Sequence, residues 1–372
     1  MLEEQDYLDK QSDFSDDPGE DNIDPVEIPK EVRNLRTQSY DKSVKDLIAM
    51  IEDKAIDLDP EYQRSYLWDN KKASLLIESI LLNVPIPIIY VSENEESEWS
   101  VIDGLQRLSS LYRYYKNEFK LTGLEILNEL NGFTYYKLPP KAQRVLGNGM
   151  IRVIVLLAET HPEIKYDIFM RLNTGAVQLN EQELRNCLYR GPFNDLLKDL
   201  RSNTNFLKCL NLAGPHKRFV DTEIILRFFS IYDACNLKTK KIVYPGKMKT
   251  FLNMFMCKYQ NANADIIKNY RVLFETTMDN IYTVLGDNAF RRPDKEEGYD
   301  TRINRSLIDV VMLCFSHLDT TNCKNNKSEY QDIIRFLSTN DKEFIDAITI
   351  GTSDSKKLEL RLIRGLETFG LV

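Results

Sequence analysis

The chain has 372 residues, 42% hydrophobic and 28% charged, an ordinary globular composition with room for two domains. Its net charge of −8 is unevenly placed: residues 1–31 hold 12 acids against 2 bases, while the remainder carries 45 acids and 47 bases, a net of +2. That balance excludes a uniformly basic nucleic-acid binder but leaves room for a local basic site. The apolar runs are far shorter than the roughly 20 residues of a spanning helix, which excludes a transmembrane segment. The opening MLEEQDYLDK lacks the basic-then-apolar order of a secretory signal. Six cysteines without a C-x-x-C pair read as reduced core thiols, so a cytoplasmic protein is expected. His161, His216 and His317 are too scattered for a zinc site or an H-E-x-x-H helix.

Residues 1–36 read as an acidic, disordered arm with no apolar period. Helical spacing begins with Val44, Leu47, Ile48 and Ile51, followed by a short strand at 56–58 and a loop, Pro60-Glu61-Tyr62-Gln63-Arg64. Asp69 or Asn70 can cap a helix over 71–82. Lys71, Ser74 and Glu78 form its one narrow polar stripe, the pattern of a helix with most of its surface buried. Strands are predicted over 86–91, 99–103 and 150–157, and helices over 105–116, 163–172 and from Asn180. Beyond Gly191 the period is almost wholly helical, clearest over 221–234, 248–259, 264–285, 302–317 and 329–337. The fold class is therefore α+β, with a mixed α/β domain over 37–190 and an α-helical domain over 191–372.

Three segments can carry chemistry. In Val101-Ile102-Asp103-Gly104-Leu105-Gln106-Arg107-Leu108 a strand ends on an acid, turns at glycine and enters a helix. The first N–H groups of a helix lack internal partners and favour anions, and the arginine fork matches phosphate oxygens. Asp103 is placed to hold a ribose, a metal or a water. Asp103 and Arg107 can equally form a structural ion pair, being four residues apart. There is no Walker loop. In Tyr62-Gln63-Arg64-Ser65-Tyr66-Leu67-Trp68 donors alternate with aromatics on a loop; the aromatics can equally serve the core. In Arg171-Leu172-Asn173-Thr174-Gly175 polar groups flank a glycine at a helix end, and asparagine suits Mg²⁺ or phosphate. Asn180 and Glu183 form a capping box.

Together these segments resemble the N-terminal domain of GmrSD-type, modification-dependent restriction systems, a branch of the ParB/sulfiredoxin-like superfamily. The resemblance rests on Pro60…Tyr62-Gln63-Arg64…Trp68, on Leu76-Ile77-Glu78-Ser79-Ile80-Leu81-Leu82…Pro85-Ile86-Pro87, on the Asp103 segment, and on Arg171-Leu172-Asn173-Thr174-Gly175…Leu179-Asn180…Glu183-Leu184-Arg185. Ala289-Phe290-Arg291-Arg292-Pro293 and Arg302-Ile303-Asn304-Arg305 are similar to the helical part of stand-alone members.

The resemblance implies a ParB/sulfiredoxin-like domain that binds and hydrolyses a nucleoside triphosphate with Mg²⁺, inside a DNA restriction or anti-phage defence system. The family's D-G-Q-Q-R motif is Asp103-Gly104-Leu105-Gln106-Arg107 here, with leucine replacing one amide. Asp103, Gln106 and Arg107 are then the expected catalytic residues. Tyr62, Gln63, Arg64, Gly104, Arg171, Asn173 and Thr174 are expected to bind nucleotide, with Gln63 touching nucleotide or DNA. Asn173 and, more weakly, Glu78 are expected at the metal; Glu78 reads alternatively as a solvated stripe residue. The histidine-centred nuclease half of such systems has no counterpart in the pattern, so a nuclease partner in trans is expected. A non-catalytic nucleotide-sensing or DNA- and protein-binding scaffold is the alternative, a self-sufficient nuclease a more remote one. Homo-oligomerisation is left open.

Overall fold

The computed structural model describes residues 36–58, 68–94, 96–160, 162–172, 180–296 and 298–372. The acidic segment 1–35 lies outside the described residues, as do 59–67 and 173–179. The chain divides into two compact units, one ending at Leu188 and the other running from Tyr189 to Val372.

The first unit is built on a five-stranded mixed sheet in the order β1-β5-β3-β4-β2. In chain order its elements are β1 (Thr37–Ser43), α1 (Val44–Glu52), β2 (Ile56–Asp57), α2 (Asn70–Leu81), β3 (Ile89–Glu93), β4 (Trp99–Asp103), α3 (Leu105–Tyr115), α4 (Pro140–Asn148), β5 (Met150–Leu156), α5 (Pro162–Leu172) and α6 (Glu181–Leu188). β1 runs antiparallel to β5, from Thr37 opposite Leu156 to Ser43 opposite Met150. β3 is parallel to β5 and antiparallel to β4, and β2 pairs parallel with β4.

Alternation along the strands assigns the two faces. Ile89, Val91, Trp99, Val101, Ile151, Val153 and Val155 join α1 to α4 in the main core. Ile102 and Leu156, one residue out of phase, meet Tyr166 of α5 and Leu184 and Cys187 of α6 in a smaller core. The central strands are thus covered on both faces, and their near-continuous apolar character follows.

Side-chain caps start the helices. Ser43 Oγ accepts from Asp46 N at 3.1 Å, and Asp69 Oδ1 from Lys72 N at 2.7 Å. The capping box forms: Asn180 Oδ1 accepts from Glu183 N at 2.8 Å, and Glu183 Oε2 from Asn180 N at 2.7 Å.

The second unit is helical: α7 (Pro192–Leu200), α8 (Thr204–Cys209), α9 (Val220–Ala234), α10 (Met248–Tyr259), α11 (Ala264–Leu285), α12 (Arg305–Ser316), α13 (Thr320–Asn325), α14 (Lys327–Thr339), α15 (Lys342–Thr349) and α16 (Ser355–Thr368). α12 is buried at every position from Ser306 to Phe315 and forms the centre of the unit. Two short antiparallel ribbons interrupt the helices, β6 (Cys235–Asn236) with β7 (Lys241–Ile242) and β8 (Arg291–Pro293) with β9 (Tyr299–Ile303). The second ribbon corrects the predicted 302–317 helix. Arg302 and Ile303 close a strand, and Asn304 caps α12 by accepting from Leu307 N at 2.8 Å. It also brings Arg291 opposite Ile303, pairing the two motifs singled out in this half.

Candidate functional site

Asp103 is the last residue of β4, and the chain reverses at Gly104 into α3. Gly104 has φ +106°, a left-handed conformation, and a Cβ there would stand 2.9 Å from Ile89 Cγ1. Both facts demand glycine. Having no side chain, Gly104 cannot cap α3, whose first turn receives no side-chain cap hydrogen bond. A register shift between Tyr90 and Val91 lies beside Asp103, which is paired with Tyr90. Bulges at such positions re-aim side chains next to functional groups.

Arg107 Nη2 donates to Asp103 Oδ2 at 2.6 Å. Its Nη1 donates to the carbonyl oxygen of Pro87 and, at 3.4 Å, to that of Ile88, where the chain enters β3. The Arg107 side chain is 11% exposed, whereas that of Asp103 is 48% exposed. The guanidinium is therefore a largely, not fully, buried clamp that fixes an accessible carboxylate. Asp103 Oδ1 accepts from no described residue. Gln106 Oε1 accepts from Trp68 N at 3.3 Å, tying α3 to the chain just before α2. Trp68 itself packs partly on the core and carries Lys72 Nζ 4.8 Å above its ring. Leu105, in the position of the lost amide, is buried in the main core.

Glu78 corrects both of its sequence readings. It is neither solvated nor a free metal ligand: it is 5% exposed, and its carboxylate accepts from the backbone N–H groups of Glu125, Ile126 and Leu127 at 3.1, 2.8 and 2.8 Å. Burial alone would raise its pKa, but the three donors outweigh burial and hold it below the ordinary carboxylate value. Both oxygens are committed to the loop that follows α3.

The structure thus brings together Asp103, Gly104, Gln106 and Arg107. Arg171 is exposed in the last turn of α5, and among the described residues no hydrogen bond or ion pair joins it to the Asp103–Arg107 couple. Tyr62, Gln63, Arg64, Asn173 and Thr174 lie outside the described residues. Sequence reasoning missed the Pro87 and Ile88 carbonyls and the Trp68–Gln106 link, because backbone acceptors 19–20 residues away and a donor 38 residues away leave no local pattern.

Among the described residues no helix is long and apolar enough to cross a membrane. None of the groupings of three or more His, Cys, Asp or Glu side chains that could enclose a metal occurs there either. Mg²⁺ asks for less, commonly one or two carboxylates with substrate phosphates, and the open Asp103 Oδ1 fits that demand.

Residues 44–190 match the family model for the N-terminal domain of GmrSD restriction endonucleases. This part of the chain is similar to a GmrSD-type N-terminal domain. The match spans α1 through α6 and so includes the whole Asp103 turn. No curated protein and no solved structure matches the chain.

Proposed function

We propose that the chain is a cytoplasmic nucleoside-triphosphate-binding and hydrolysing module of a DNA restriction or anti-phage defence system, acting with a nuclease carried on a separate chain. The observation that carries this reading is the strand-to-helix turn at Gly104. It sets a clamped, accessible carboxylate beside helix N–H groups without a side-chain cap, within a GmrSD-type domain. The N–H groups of the first turn would take phosphate oxygens. Asp103 would orient a water or, through Oδ1, hold Mg²⁺ with those phosphates; the ion would supply charge neutralisation. Arg107 acts as a positioning residue for Asp103, and Gln106 holds the Trp68 segment against the turn. The loop residues Tyr62, Gln63 and Arg64, with Asn173, Thr174 and Arg171, complete the site by family resemblance.

The two described histidines both lie in the helical unit. His216 is buried, its Nδ1 accepting from Arg218 N at 3.2 Å. The His317 ring stacks on Tyr232 at 5.3 Å. Burial lowers the pKa of both.

The second reading, a nucleotide-sensing or DNA- and protein-binding scaffold without turnover, is favoured by the buried Leu105 and by the commitment of Arg107 to protein acceptors. Phosphate release from the full chain with ATP, GTP, CTP or UTP and Mg²⁺ separates the two. Hydrolysis that falls at least about tenfold in Asp103→Asn, with nucleotide affinity retained, is the expected result. A ligand at about a hundred times its dissociation constant stabilises the native state by roughly 2.7 kcal/mol, so binding without turnover would appear as a thermal shift alone and favour the scaffold. No shift and no release with any nucleotide would overturn the hydrolytic and the nucleotide-sensing readings and leave the DNA- and protein-binding scaffold.

A further inference from the structure

A cavity lies elsewhere in the first unit, beside the C-terminal half of α3. There α1, α3, α4 and the turn at Tyr135 enclose a cavity of about 350 Å³. Leu111, the first residue of α3 to line it, follows Gly104 by seven residues, about 10 Å at 1.5 Å per residue. Its wall carries Tyr114, Tyr115 and Tyr135, and its floor Ile48, Leu111 and Leu146. The Tyr115 and Tyr135 rings lie 4.9 Å apart at 47°. Lys45 and Arg144 stand at its rim, both exposed, and no acidic side chain lines it. Neither cation makes a hydrogen bond or an ion pair with a described residue, and the only acid shown to feel Lys45 is its chain neighbour Asp46, which does not line the cavity. Gln143 donates through Nε2 to the carbonyl oxygens of Tyr135 and Leu138, both at 3.1 Å. That fixes the Tyr135 turn and leaves Gln143 Oε1 as an acceptor.

We propose that this cavity binds one nucleotide unit, its base against the tyrosine wall and its phosphate between Lys45 and Arg144. Three features select that chemistry. An aromatic and apolar interior takes a flat ring, two cations with no acid take an anion, and the volume is at the small end of ligand sites. The surroundings extend the match along a strand. Over residues 130–151 the sequence contains Lys137, Lys141 and Arg144 and no acid, and Tyr136 is 75% exposed. Bases interleaved with aromatics track a single-stranded backbone while offering stacking platforms. A free mononucleotide and a nucleotide within single-stranded DNA present the same base and phosphate, and both are sources the test separates. The site is independent of the Asp103 turn and does not rest on hydrolysis there.

The test uses the full chain with two probes, adenosine 5′-monophosphate and a 12-nucleotide single-stranded DNA. Binding is read by calorimetry and fluorescence anisotropy, and the contact is mapped by photo-cross-linking of a 5-iodouridine-substituted version of the DNA. The double charge reversal Lys45→Glu/Arg144→Glu changes two exposed side chains, and Tyr135→Leu keeps apolar bulk while removing the ring. Each is expected to weaken binding about tenfold or more, with thermal denaturation showing the fold retained. Cross-links are expected in peptides covering 112–116 or 135–148. Binding of the DNA alone assigns the site to polynucleotide, and binding of the monophosphate assigns it to the free nucleotide. Loss in the charge reversal with none in Tyr135→Leu would reduce the contact to phosphate and overturn the pocket. So would cross-links confined to peptides before residue 108, or no binding of either probe at millimolar concentration.

Discussion

At the scale of single residues, two charged groups predicted to share one site have separate tasks. Arg107 and Asp103 were paired in the sequence by their four-residue spacing, and the pair forms; what spacing could not disclose is that Pro87 and Ile88 hold the same guanidinium from the other side. Glu78 shows the same limit more sharply. Its donors lie 47–49 residues downstream, on a loop with no periodic signature, so a helical stripe position looked solvated. The consequence is testable. Glu78→Gln retains size but turns a charge-assisted cluster into a neutral one and faces an amide N–H₂ toward N–H donors. A loss of about 1.5–3 kcal/mol is expected at pH 7. Because the folded-state pKa lies below the ordinary 4.5, this stabilisation is fully present above that value and is lost as pH falls through the folded one. Urea denaturation from neutral to acid pH should therefore show the wild type losing its advantage over the variant, with the two converging in acid. Parallel curves would remove Glu78 from the acid response.

At the scale of elements, the features written locally were legible. Strand β4, Gly104 and helix α3 follow one another as an apolar alternation, a breaker and a 3.6-residue period. The Asn180–Glu183 box stands in the sequence as two residues three apart. Strand β1 was not legible: Thr37–Ser43 has no buried residue and takes its strand form from pairing with β5, more than a hundred positions away. The segment between α3 and β5 was equally silent, since Leu121, Leu124, Leu130 and Leu138 enter the core through turns without a period. The joint between β4 and α3 is the element on which the Asp103 site depends. Gly104→Ala would place a side chain at φ +106° and against Ile89. Strain of this kind costs about 1–3 kcal/mol. The expected result is a lower denaturation midpoint together with a fall in nucleotide binding, because relief of the clash displaces the first turn of α3. A variant that is as stable as wild type and binds nucleotide equally well would show that the turn does not set the site.

At the scale of the whole molecule, each unit has its own centre. The sheet with its two helical faces serves one, and the buried α12 serves the other. In the latter, Asp309 is gripped by Arg227 at 2.7 Å and Arg361 at 3.0 Å. Such a buried ionic group is strongly destabilising to break by removing one partner. Charge, by contrast, acts over the entire chain and follows from composition alone. The net −8 becomes +2 when residues 1–31 are removed. A cavity edged by Lys45 and Arg144 then attracts a polyanion with less opposition from the rest of the molecule. The field reaches far only in dilute salt: the screening length is about 30 Å at 0.01 M and about 3 Å at 1 M. Comparing the full chain with the 32–372 truncation on the 12-nucleotide DNA, anisotropy should give a several-fold tighter complex for the truncation near 0.01 M salt. The gap should close near 1 M, where any remaining difference must come from direct contact rather than the long-range field. Equal affinities in dilute salt would show that the acidic segment contributes nothing to the potential at the site, and a gap that persists in concentrated salt would show that it competes for the cavity directly.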